Sequence, residues 1–195
     1  MIKNALLFLL LMLSFLAFSA CTSGPKADRI DLDEDLKCTQ DGASAPEWVC
    51  GNVEHEAMQI AIGKAAQSKI GRSFTLREAT ADGVAKIKRR AQFYVEKKIR
   101  KFARMMDPEL AQIADDSSQK IAKEISQAEQ NDYKQIKEWQ NPANGDLFVL
   151  VAIQNRWLDQ QIREELLALY ETDAATWKKF RETDGEDKLD TLFED

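Results

Sequence analysis

Between Val84 and Met106 the apolar positions return every three or four residues, at Val84, Ile87, Ala91, Tyr94, Val95, Ile99, Phe102 and Met106. That rhythm matches the turn of an α-helix and predicts one long helix with a single inward stripe. Lys86, Lys88, Arg89, Arg90, Lys97, Lys98, Arg100, Lys101 and Arg104 fill its other faces. The cations gather toward the C-terminal end, where they complement the helix dipole. Asp107-Pro108 ends this helix and starts another, because Asp caps a helix N-terminus and Pro suits its first turn. Leu110, Ile113, Ala114, Ile121, Ile125 and Ala128 form the stripe of the second helix. A third runs from about Arg156 to Tyr170, with Asn155 as cap and Leu158, Ile162, Leu166 and Leu169 inward.

Shorter apolar runs predict strands. Met58 to Ile62 suits a first strand closed by Gly63, with a loop through Gly71 after it. Tyr133 to Trp139 mixes polar and aromatic residues, Asn141 to Gly145 is a turn cluster, and Leu147 to Ile153 is apolar on both faces. This is a hairpin whose second strand belongs in the middle of its sheet. The fold class is therefore α+β: a small antiparallel sheet of about three strands packed with a long helix, a second helix and a C-terminal helix. Asp173 to Arg181 reads as a further short helix, and 183–195 as an acidic, fraying tail. There is no internal repeat.

The first 21 residues, MIKNALLFLLLMLSFLAFSAC, follow neither rhythm. Lys3 gives a charged start, Ala5 to Phe18 is apolar or small apart from Ser14, and Ser19-Ala20 leads into Cys21. The run is shorter than the roughly 20 residues a membrane-spanning helix needs, so residues 1–20 read as an export signal. Phe18-Ser19-Ala20-Cys21 resembles the lipobox of bacterial lipoproteins, in which the cysteine is acylated and becomes the new N-terminus; Phe18 stands where Leu is preferred. The other reading is a plain secretory signal with an incidental Cys21. Acylation implies a body tied to a membrane by its chains, and Thr22 in place of Asp favours the outer membrane, with the domain facing the periplasm.

Residues 21–45 are poor in large apolar groups and rich in Gly, Ser, Ala and Asp, so they are expected to be a flexible acidic tether before a domain at 46–182. An EF-hand register begun at Asp31 fails, since Leu36 falls where Gly is needed and Gly42 where Glu is needed. Cys38 and Cys50 are an even pair in an exported chain, which favours a disulfide. A metal or redox pair is the alternative, without a C-x-x-C spacing and with His55 as the sole histidine.

The net charge of −6 conceals an asymmetry: residues 64–104 carry 13 Lys or Arg against three acids, and residues 105–195 carry 10 basic against 21 acidic groups. Such blocks are satisfied within the fold, by a second copy, or by an anionic surface. No nucleophile triad, zinc-protease motif, dinucleotide fingerprint or phosphate loop is present, so no catalytic residue, cofactor or metal ligand is expected. Nucleic acid is not expected behind an export signal. Lys97, Lys98, Arg100, Lys101 and Arg104 are the binding candidates, for lipid headgroups, an anionic polymer or an acidic protein face. Trp48, Trp139, Trp157 and Trp177 are expected as core or interface anchors.

Finally, Pro46-Glu47-Trp48-Val49, Ala61-Ile62-Gly63-Lys64-Ala65, the long Ala- and Arg-bearing helix, and Glu138-Trp139 followed by NPANGDLFVLVAI up to Ile153 resemble, in this order, the Lpp-twenty lipoprotein family, which includes flagellum-associated outer-membrane lipoproteins of the FlgP type. The likeness covers about residues 46–170. Phe148 replaces the usual Tyr, and Cys50 follows the first motif. The resemblance implies a lipid-tethered periplasmic α+β domain, non-enzymatic, in some members a homo-oligomeric ring or disc at the flagellar base.

Overall fold

The computed structural model describes residues 36–51, 53–127 and 132–194. The stretch expected as an export signal, Cys21, the tether up to residue 35 and Ala128 of the second stripe lie outside them. The chain is α+β. β1 (Leu36–Gln40) and β2 (Ala43–Pro46) form a hairpin that runs into α1 (Glu47–Cys50). Then come β3 (Met58–Ala65), α2 (Arg72–Ala103), α3 (Pro108–Ser126), β4 (Lys134–Gln140), β5 (Leu147–Gln154), α4 (Asn155–Glu171), α5 (Ala174–Glu182) and α6 (Gly185–Thr191).

The main sheet is antiparallel with order β3-β5-β4, so the doubly apolar β5 is central, as its pattern predicts. Its two faces serve different layers. Val149, Val151 and Ile153 join the core made with α2, α3 and α4. Phe148, Leu150 and Ala152 point the other way and are also buried. Against that second face lie β1, β2 and α1: Val49 borders the same cleft as Ile60 and Phe148. The Asn141 side chain donates to the Gln40 carbonyl at 2.9 Å, and Lys64 pairs with Asp41 at 3.1 Å.

Helix α2 buries Thr75, Ala79, Gly83, Ile87, Ala91, Val95, Ile99 and Ala103, a strict four-residue spacing. Four residues advance the helix by one turn plus about 40°, so the buried stripe winds slowly around the axis. The N-terminal half consequently faces the sheet, at Gly63 and Val151, and the C-terminal half faces α4, where the Phe102 ring meets that of Tyr170 at 6.3 Å. Gly63 does not close β3. It lies inside the strand because α2 crosses there, with Ala79 and Gly83 against its Cα.

Asp107 caps α3 as its sequence predicts, accepting from the N–H groups of Glu109 and Leu110. Three local readings differ. Asn155 does not cap α4; its side chain accepts from Gln59 at 2.7 Å and donates to the Glu56 carbonyl at 2.8 Å, pinning the helix start to β3. Tyr170, more than Leu169, is the inward residue of the last turn, and its hydroxyl donates to the Leu110 carbonyl at 2.8 Å. The tail expected at 183–195 instead forms α6, because Leu189 and Leu192 give it an apolar side that is fully buried.

The tether boundary also moves: Leu36 to Pro46 is a hairpin. Its signal is Asp41-Gly42, a two-residue turn pair whose φ angles of 48° and 84° both lie in the left-handed region. Cys38 and Cys50 are disulfide-bonded, with Cα atoms 6.1 Å apart, which fastens β1 to the end of α1.

Candidate functional site

The five candidate cations do not share one surface. Lys97, Arg100 and Arg104 stand together on the outer side of α2 around Phe93, which is 70% exposed. Lys98 turns away toward the C-terminus, donating to the Leu192 carbonyl at 3.2 Å and lying over the rings of Tyr94 and Phe193. It therefore holds α6 in place. Lys101 is half-buried and engaged.

On the outward side, positions 86, 90, 93, 97, 100 and 104 succeed one another at spacings of three and four, an average of about 3.6 residues, so this row runs straight along the axis while the buried stripe winds. The two ends of this outward side differ. Near β3, Lys86 donates to the Ile62 carbonyl at 3.0 Å and pairs with Asp82, and Arg90 donates to the Ile60 carbonyl. Asp82 accepts the Lys64 N–H at 2.8 Å. Burial raises the Asp82 pKa, but Lys86 and that N–H outweigh it and hold the carboxyl below its ordinary value. Near the C-terminal end the cations point into solvent, with Glu96 on Arg100 at 2.6 Å.

Sequence blocks of charge become separate faces. From Lys86, Arg89, Arg90, Lys97, Arg100 and Arg104, no described ion pair reaches an acid beyond residue 104. Among the described residues, pairs between the two blocks include Arg72–Glu138 at 2.6 Å and Lys64–Asp146 at 3.1 Å. The acidic block otherwise pairs within itself: Lys179 bridges Asp107 at 3.2 Å and Glu109 at 2.5 Å, and Arg163 pairs with Asp190. Asp115, Asp116, Glu164, Glu165, Glu186 and Asp187 stay accessible to solvent.

Compared with protein-family models and with curated proteins, the chain matches none.

The remaining residues sort simply. His55 is half-buried just before β3, and its Nδ1 accepts the Ala57 N–H at 3.1 Å. Trp48 is buried, Trp139 tilts against Phe148 with ring centroids 5.5 Å apart, and Trp177 stacks on Phe180 at 5.3 Å. Tyr94 donates to Asp159 at 2.7 Å across the α2–α4 contact. Burial drives the Asp159 carboxyl above its ordinary value, against the pull of Tyr94 and Lys98. Among the described residues no cluster of His, Cys, Asp or Glu has the makings of a metal site, and no helix is long and apolar enough to cross a membrane.

Proposed function

We propose that the chain is a non-enzymatic lipoprotein, held on the outer membrane through acyl chains on Cys21, whose periplasmic domain assembles with further copies. The basic outer side of α2 meets the acidic surface of α3 to α6 on a neighbour. The observation that carries this reading is the segregation of charge: Lys97, Arg100 and Arg104 on the outer side of α2 make no ion pair with a described acid beyond residue 104. Anchored copies share a plane, so their effective concentration is high and weak contacts suffice. A head-to-tail contact of this kind builds rings when its rotation closes. The Cys38–Cys50 bond suits an oxidising compartment. The flagellar association implied by the resemblance belongs to this proposal, and is checked by whether the protein co-purifies with basal bodies.

Sedimentation of the acylated protein in detergent should show oligomers at low salt that dissociate at high salt. Lys97→Glu combined with Arg100→Glu should shift the equilibrium to monomer. A monomer at every protein and salt concentration rejects the assembly.

Phe93 favours a second reading. An aromatic ring 70% exposed among Lys97, Arg100 and Arg104 is the arrangement that inserts at an anionic lipid surface. In that case the same double variant loses co-sedimentation with anionic vesicles while its oligomeric state stays unchanged.

A further inference from the structure

The outer edge of β3 has committed its acceptors and kept its donors. Pairing with β5 leaves the backbone groups of Ile60, Ile62 and Lys64 facing outward. The Ile60 and Ile62 carbonyls accept from Arg90 and Lys86, as described above. The N–H groups of Ile60 and Ile62 face the same way, and among the described residues neither meets an acceptor. They open into a cleft of about 550 Å³. That volume falls within the range of small-molecule sites, about 300–1,000 Å³.

One wall of the cleft is α2, with Lys86, Arg89 and Arg90; the other is made by Val49, Cys50, Gly51 and Val53, next to the disulfide. Phe148 supplies apolar surface at the base. An added peptide strand needs free carbonyls to donate to, and here those carbonyls are already taken. Bare donors flanked by cations call for a group that only accepts, which is an acid. The carboxylates nearby are already engaged: Asp82 on Lys86, and Asp41 and Asp146 on Lys64. Arg89 and Arg90 are in no ion pair with a described carboxylate.

We propose that this cleft binds a small molecule bearing a phosphate or carboxylate on an apolar body. The acid group rests on the Ile60 and Ile62 N–H groups and on Arg89 and Arg90, and the body lies against Val49, Val53 and Phe148. The site is independent of the assembly face, since it uses neither Lys97, Arg100 nor Arg104.

The test titrates the full chain, purified in detergent, with phenyl phosphate, benzoate and inorganic phosphate, following backbone amide shifts and heats of binding. Saturable binding of an organic acid that moves the Ile60 and Ile62 amides is expected, tighter than inorganic phosphate; the tighter of the two organic acids assigns the head group. Arg89→Gln, at an exposed position whose described interaction with the fold is its charge acting on Asp82, should weaken that binding by about tenfold or more while the amide spectrum stays that of the folded protein. Lys97→Glu with Arg100→Glu should leave it unchanged. The proposal is overturned if neither organic acid saturates at low millimolar concentration, if inorganic phosphate binds as tightly, or if the two sets of variants weaken binding equally. Unchanged Ile60 and Ile62 amides in the wild type overturn it without any variant.

Discussion

At Gly63 a side chain has nowhere to go: a Cβ there would lie 1.9 Å from the Ala79 carbonyl oxygen and 2.5 Å from the Gly83 nitrogen. Both obstacles are backbone, so Gly63→Ala must push α2 off the sheet, and urea denaturation should show a loss of about 1–3 kcal/mol or more. Sequence alone reads this glycine as the end of a strand, because a chain break and a close approach are written with the same residue. Two aspartates give opposite pH behaviour. Burial pushes the Asp107 carboxyl up, but the Leu110 N–H and the Lys179 ammonium outweigh it, so its pKa is lowered. Its contribution to stability is present above the unfolded value of 3.8 and is lost as pH falls through the lower folded value. Asp159 is raised, so its contribution is present below 3.8 and is lost as pH rises through the folded value. Asp159→Asn keeps an acceptor for Tyr94 and should unfold about 2–4 °C higher than wild type at pH 7, a difference that vanishes near pH 3 where both side chains are neutral.

Long elements were legible because their periods are intrinsic: α2, α3 and the β4–β5 hairpin follow directly from apolar spacing. Short ones escaped it. The β1–β2 hairpin contains no large apolar side chain after Leu36, and its burial depends on the sheet face it meets; Asp41-Gly42 was its one local mark. Replacing Cys38 and Cys50 together by Ser should lower stability by about 3 kcal/mol in chemical denaturation, on a loop-closure account whose entropic basis is debated. In α6 two buried leucines reverse what the acidic composition suggests. Leu192→Ala should cost about 2–5 kcal/mol by thermal unfolding, and it should expose Lys98, whose partner is the Leu192 carbonyl. A fraying tail would show no loss.

For the whole molecule, sequence correctly locates positive charge on the long helix but does not sort it. Lys97, Arg100 and Arg104 are separated from Lys98 by helix rotation and by where α6 packs, which is a tertiary fact. The cleft beside β3 was not legible at all, since it exists only because Asp82, Lys86 and Arg90 run antiparallel to Lys64, Ile62 and Ile60. Four helical residues rise about 6 Å and two strand residues about 6.6–6.8 Å, so the two rows stay in step over this distance.

That matched row has a consequence for growth of the sheet. With its carbonyls occupied by side chains, the β3 margin is closed to another strand, while β4 keeps a solvent-facing margin. Two molecules joined at their β4 margins would make one continuous six-stranded sheet with a blocked border at either end. Such a union terminates itself, so it cannot lengthen into a fibre.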